Sequence, residues 1–236
     1  MPKTRSLTGL PEVQATAGEQ SDSVAIPAKR TRKASQRQAS TEGLLGAALR
    51  LFVSQGYRAT NLEQISGAAK LSKGAVYFYF RSKEAVLLEL LRSVERIVVD
   101  RAVARVMEVG PRATDKLVAY LHYQAGLGIS HRDEVLLLIL MSLEFKEREG
   151  PVLSFIDQLN QRQRQLIEDL VRSGQRAGEF RADLHARELA AIVLAINDGT
   201  FLEWFRRSKT LDGPELVRAL RAAVLGATAI QRTSPS

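Results

Sequence analysis

The sequence predicts an all-α protein of about nine helices, and three observations carry that prediction. From about residue 40 onward, apolar residues recur at three-to-four-residue spacing, the period of a helix with one buried face. Helix-opening residues stand at Thr60, Ser72 and Ser82, each just ahead of such a face. No run of alternating β-branched residues between hairpin turns occurs along the chain.

Residues 1–37 read as a tail without packed structure. Prolines at 2, 11 and 27 and scattered Gly, Ser, Thr and Gln break any apolar period there. The tail ends in a basic run of Lys29, Arg30, Arg32, Lys33 and Arg37. Two readings stand for this run: a solvated linker, or an arm that adds phosphate contacts or enters a minor groove.

The first helix carries Leu44, Leu45, Ala48, Leu51 and Phe52 on one face and stops at Gly56. Gly43 and Gly46 inside it each cost about 1 kcal/mol relative to Ala, so packing must hold it. The second opens at Thr60-Asn61-Leu62-Glu63, which reads as a capping box, and has Leu62 and Ile65 as its inner face. It ends within Ala68-Ala69-Lys70-Leu71. The third starts at Ser72, with Leu71 and Val76 placed as a hydrophobic staple. Val76 and Phe80 point to the core, while Lys73 and Tyr77 share another face. Ser82 caps a fourth, longer helix through Leu87, Leu88 and Leu91. Five more helices fit residues 93–236, with breaks near 110–111, 130–131, 150–151, 174–183 and 209–214.

At 236 residues, with 45% hydrophobic and 25% charged side chains, the chain suits one or two globular domains. It has no apolar run long enough for a conventional membrane span, and the N-terminus shows no secretory signal. There are no cysteines, which excludes disulfides, thiolate chemistry and Cys-based zinc sites and points to a cytoplasmic protein. The charge is uneven. Residues 1–92 hold 14 basic and 7 acidic side chains, whereas the remaining 144 hold 20 and 19. A basic segment joined to a near-neutral one indicates an anion-binding module attached to a second region.

Two short helices joined by a tight turn, the second capped and carrying Lys73 and Tyr77 on its free face, form a helix-turn-helix pattern. The hydroxyls of Thr60 and Ser72 can bind phosphate oxygens. Gly74 allows close approach of backbone to a groove, and Tyr77 and Tyr79 offer rings and hydroxyls. Lys83 opens a helix, where a cation is disfavoured by the dipole, a placement that a nearby phosphate would explain.

This stretch resembles the TetR/AcrR family of transcriptional regulators. The resemblance lies in Leu44 to Phe52, Gly56-Tyr57-Arg58-Ala59-Thr60, Leu62-Glu63-Gln64-Ile65, Ala68-Ala69, Leu71 to Phe80 and Ser82-Lys83-Glu84. Two residues depart from the family pattern. Lys70 stands where glycine is usual in the turn, and Ser66 replaces a small apolar residue. The resemblance implies that Lys73, Gly74 and Tyr77 face bases of double-stranded DNA, with Thr60, Ala75, Phe78, Tyr79 and Lys83 against its backbone. For Phe78 the alternative is packing on the fourth helix, and for Tyr79 a half-buried place on the surface.

The resemblance further implies an N-terminal three-helix DNA-binding domain over 38–92. Residues 93–236 would then form a larger bundle that binds a small-molecule effector and dimerises through its last two helices. Small residues support a dimer independently: Ala191, Ala195 and Gly199 repeat every fourth residue, as do Ala219, Ala223 and Ala227. Such stripes let helices approach closely, across a two-fold or within one chain. Tyr120, Tyr123, Met141, Phe145, Phe155 and Trp204 are candidate effector-lining groups, the alternative for each being plain core. Asp198 beside Asn197 reads as a seam residue rather than a ligand contact. Gly174-x-x-x-Gly178-Glu179-Phe180 is the most family-like piece of this half.

An enzyme is not expected. Three histidines, His122, His131 and His185, form no His-x-x-x-His pair, and no Gly-rich phosphate loop or metal-ligand set is present. The expectation is a sequence-specific, dimeric, effector-responsive regulator, a repressor in preference to an activator, with no cofactor or metal. The alternatives are a non-specific architectural DNA-binding protein and, for the basic tail, attachment to a membrane surface.

Overall fold

A computed structural model describes residues 28–230, which form nine helices and no strand. Helix α1 spans Ala28–Gln55, α2 Leu62–Ala68 and α3 Lys73–Tyr79. Helix α4 is continuous over Lys83–Glu95, a π-helical turn at Arg96–Asp100, and Arg101–Glu108. Then follow α5 at Ala113–Ser130, α6 at Arg132–Glu144, α7 at Pro151–Arg176, α8 at Ala186–Arg207 and α9 at Gly213–Thr228. Contacts divide the chain at Gln38 and Ala39, and the packing below concerns the part from Ala39 onward.

One correction applies to the expected tail. Residues 28–37, read as unstructured, are helical and belong to α1, so the basic run continues a helix instead of ending a linker. The expectation for residues 1–27 lies outside the described residues. In the second half, each expected break coincides with a gap between helices. Pro151 and Pro214 sit in the first turn of α7 and α9, where the missing N–H has no partner to lose.

Two buried clusters hold the body together. The first joins Leu44 and Phe52 of α1, Ile65 of α2, Val76 of α3 and Leu87 and Leu91 of α4 to Leu137 and Met141 of α6 and Ile156 and Leu159 of α7. Each fully buried Leu or Ile contributes about 1.5–3 kcal/mol. This core therefore crosses position 92, where composition suggested a domain boundary. The second cluster joins Ala102 and Val106 of α4 to Leu117, Tyr120 and Leu121 of α5, Ile167 and Val171 of α7, Val193 of α8 and Val224 of α9.

The family-like segment after α7 has a physical account at each position. A Cβ at Gly174 would lie 2.1 Å from the Phe180 ring, so only glycine lets that ring seat. Gly178 takes φ +69°, the left-handed end of a helix. The Glu179 carboxylate accepts from the amides of Ala113 (3.0 Å) and Thr114 (2.9 Å) and from the Thr114 hydroxyl (2.8 Å), capping α5 from 65 residues away. Arg112, at the local N-cap position, supplies no such bond.

Candidate nucleic-acid interface and small-molecule cavity

The turn entering α2 is built one residue later than the sequence suggested. Asn61 is the N-cap: its Oδ1 accepts from the Gln64 amide (2.9 Å), and Gln64 Oε1 accepts from the Asn61 amide (2.8 Å). Thr60 is instead 1% exposed. Its hydroxyl donates to the Gly56 carbonyl (2.8 Å) and accepts from Gln55 Nε2 (3.1 Å). The Thr60 hydroxyl, read from sequence as a phosphate contact, closes the α1–α2 turn. Glu63, freed from capping, pairs with Lys73 across the helix-turn-helix. Its carboxyl is held below the usual range by that hydrogen bond and charge, and the Lys73 ammonium is correspondingly raised.

The α2–α3 turn places Lys70 at φ +55°, a conformation that glycine adopts without strain. Ser72 caps α3 as expected, its hydroxyl accepting from the Ala75 amide (3.2 Å). From that start α3 divides as the pattern required. Val76 is fully buried and Phe80 half-buried against the same core, whereas Ser72, Lys73 and Gly74 are exposed. Tyr77 is 48% and Phe78 69% exposed, so Phe78 does not bury against α4. A Cβ at Gly74 would meet nothing within 4 Å. Ala75 and Tyr79 are half-buried, and the Tyr79 ring meets Phe78 edge-on at 5.3 Å.

Lys83, assigned to the DNA backbone from sequence, is engaged within the protein. Its Nζ donates to the carbonyls of Tyr57 (2.7 Å) and Thr60 (2.6 Å) and lies 4.3 Å from the centre of the Tyr57 ring. Burial pushes the ammonium below its ordinary value, with Glu144 acting the other way. The cation at this helix start is held by carbonyls of the protein's own turn. Around it, Tyr57 packs on Phe52 (5.3 Å) and Phe145 (5.1 Å), and Glu144 at the end of α6 pairs with Arg58 (3.3 Å).

A cavity of about 360 Å³ opens between α5, α8 and the start of α9. Its walls are mainly apolar, with Phe201 and Trp204 prominent and His122, Gln124, Asn197 and Thr200 as polar groups. Of the six residues proposed from sequence as lining groups, Trp204 is here, its indole so close to Gly213 that a Cβ there would come within 3.3 Å. The other five are elsewhere. Met141 and Phe145 are buried in the first cluster, and Phe155 packs against it. Tyr123 borders a separate depression beside Arg105, and its hydroxyl donates to the Ile97 carbonyl (2.5 Å). Tyr120 is wholly buried, one turn before Gln124, whose side chain interacts with its hydroxyl. Burial raises that phenol well above its ordinary value, with Asp198 adding to the effect. His122 and Gln124 gave no sequence signal for a cavity because each stands between apolar or aromatic neighbours in the second half of α5.

Asn197 lines the cavity, and burial raises the neighbouring Asp198 carboxyl above its ordinary value. Ala191, Ala195, Gly199, Ala219 and Ala223 are exposed in the single chain and Ala227 is half-buried. Ile192, 51% exposed, lies beside the α8 stripe. Among the described residues no helix is long and apolar enough to cross a membrane.

The comparisons with known proteins agree with this architecture. The family model "Bacterial regulatory proteins, tetR family" matches residues 44–90, and "Tetracyclin repressor-like, C-terminal domain" matches 137–224. The crystal structure of the MbdR regulator from Azoarcus sp. CIB is 41% identical, with a TM-score of 0.73 over 81% of this chain and 100% of that one. The HTH-type transcriptional repressor KstR2 of Mycolicibacterium smegmatis is 26% identical over 81% of this chain and 92% of its own length. FadR from Bacillus subtilis, solved in complex with stearoyl-CoA, is 19% identical and shares the fold, with a TM-score of 0.64 over 79% of this chain and 98% of that one. With its capped, outward-facing α3 and a relative 41% identical along its whole length, the chain belongs to the TetR family of bacterial regulatory proteins and is a DNA-binding transcriptional regulator.

Proposed function

We propose that the protein is a homodimeric repressor that reads a palindromic operator through α3 and leaves it when a small molecule fills the α5–α8–α9 cavity. The observation that carries this is the outer face of α3. Lys73, Gly74, Tyr77 and Phe78 are all exposed there, on a helix pinned from behind by Val76. Lys73 and Tyr77 are assigned to base edges, with Gly74 giving backbone clearance. Ser72, Ala75, Phe78 and Tyr79 are assigned to the flanking phosphates and sugars. The exposed Ala and Gly stripes of α8 and α9 suit a two-fold helical seam, which would set two α3 helices about 34–36 Å apart on one face of the duplex.

The effector assigned to the cavity is a compact, predominantly apolar molecule. No lysine or arginine stands among the lining residues, so the walls suit a hydrocarbon body with one or two polar groups and not a polyanion. No catalytic step enters this reading, and the protein is placed in the cytoplasm with its DNA.

The test uses DNA from upstream of the protein's own coding region. Lys73→Ala and Tyr77→Ala should each weaken binding tenfold or more without moving the melting temperature, since neither side chain is in the core. Wild-type affinity in both variants would sink the assignment of α3 to the groove. Discrimination over random DNA of about 10³-fold or more marks a specific regulator, and a ratio near one marks the architectural alternative.

A further inference from the structure

Midway along α4 the chain leaves the α-helix. Over Arg96–Asp100 it makes one π-helical turn, with the Arg101 amide donating to the Arg96 carbonyl five residues back. Single π turns are rare and usually sit where a helix serves a purpose other than length. This one lies between the part of α4 that packs on α2 and α3 and the part that packs in the second cluster.

Three side chains hold the turn. From α5, the Tyr123 hydroxyl donates to the Ile97 carbonyl (2.5 Å), and Gln124 Nε2 donates to the Val98 carbonyl (3.1 Å). From α7, the Arg162 guanidinium bridges Glu95 (2.5 Å), just before the turn, and Asp100 (2.7 Å), its last residue. That bridge is specific to the register. In a regular α-helix, residues five apart point about 140° away from each other, too far for one guanidinium to reach both. The wider π turn brings them to one side.

Gln124 differs from the other two holders in that it also forms part of the cavity wall. Gln124 therefore borders the space assigned to the effector while its carboxamide holds the irregular turn in the helix that carries the DNA-reading unit. Beside it lies the buried Tyr120 hydroxyl, which interacts with the Gln124 side chain.

We propose that Gln124 is the residue through which occupancy of the cavity is read. A largely apolar molecule whose polar end engages the Gln124 carboxamide draws it off the Val98 carbonyl, and the π turn of α4 relaxes towards the α register. A one-residue change of register rotates the two halves of α4 about their common axis by up to about 100°, so even a small fraction of it re-aims α2 and α3. The proposal takes the effector role of the cavity and the repressor reading as given, so the latched turn is the operator-binding state.

The experiment needs no knowledge of the effector. Gln124→Leu keeps the shape and removes the donor. Expected are at least a tenfold loss of affinity for the upstream DNA, inside the usual range of coupling between sites, and faster amide exchange confined to residues 96–101. Dimerisation and the cooperative thermal transition should be retained. Should that variant not fold, Gln124→Asn, one methylene too short to reach Val98, gives the same readouts. Wild-type affinity in a folded variant overturns the proposal. So does a loss of affinity without changed exchange at the turn, or changed exchange without loss of affinity. Failure of the wild-type protein to bind that DNA specifically would instead overturn the operator reading itself.

Discussion

At Lys70 the backbone takes φ +55°, where an L side chain costs about 1–2 kcal/mol relative to its ordinary conformations. Lys70→Gly should therefore stabilise the protein. The gain is about 1 kcal/mol, offset in part by the greater freedom of glycine in the unfolded chain, and should raise the melting temperature by about 2–4 °C. A lower melting temperature would show that the lysine side chain contributes something that the backbone strain hides. Lys83 and Lys73 form a contrasting pair ten residues apart. Lys83→Met leaves the carbonyls of Tyr57 and Thr60 without their donor. It should cost about 1–3 kcal/mol of stability, measured by denaturant unfolding. Lys73, exposed and paired with Glu63 alone, should alter DNA binding and leave stability where it was. The sequence could not separate these two lysines. Both follow a serine cap, and what distinguishes them is the Gly56–Thr60 turn, which reaches Lys83 from more than twenty residues away.

At the scale of elements, what was legible followed from local rules. The caps at Ser72 and Ser82, the stop at Gly56 and the inward Val76 each depend on neighbours within four residues, and each is where the pattern placed it. The capping box slipped by one residue because Thr60-x-x-Glu63 and Asn61-x-x-Gln64 satisfy the same rule; the hydroxyl's partners Gln55 and Gly56, at the end of α1, decided between them. The cavity was barely legible. Tyr120, Met141 and Phe145 have the chemistry of lining groups, but which face of a helix meets space and which meets another helix is a tertiary matter. The π turn gave no signal at all, since its sequence, Arg-Ile-Val-Val-Asp, suits an ordinary helix. The cap on α5 yields a pH prediction. Hydrogen bonds from Thr114, then from Ala113, hold the Glu179 carboxyl below its ordinary value. The stabilisation from that depression is fully present above about pH 4.3, the ordinary glutamate value, and is lost as the pH falls through the lower, folded one. Glu179→Gln should thus be about 1 kcal/mol less stable than wild type at pH 7, with the difference shrinking in acid. A gap of constant size from pH 7 to pH 3 would mean that the carboxylate's charge is not what holds α5.

For the molecule as a whole, the exposed stripes on α8 and α9 and the outward face of α3 make one joint prediction. Ala195→Glu or Ala223→Glu puts a carboxylate on the proposed seam without touching the buried faces of either helix. Each should run as a monomer in size-exclusion chromatography and lose operator binding, because a single α3 holds half a site. A dimer that survives both substitutions would place the interface elsewhere. The first core cluster joins α1, α2 and α3 to α6 and α7. The DNA-reading helices and the lower part of the effector region should therefore unfold in one transition, although charge alone divides the chain near residue 92.

The indole of Trp204 stands in the cavity wall against Gly213, and it is the one tryptophan in the chain. Tryptophan emission from the unlabelled protein therefore originates at the cavity wall. Quenching or a spectral shift on adding a candidate compound reports entry there, with no dye, tag or DNA in the cuvette.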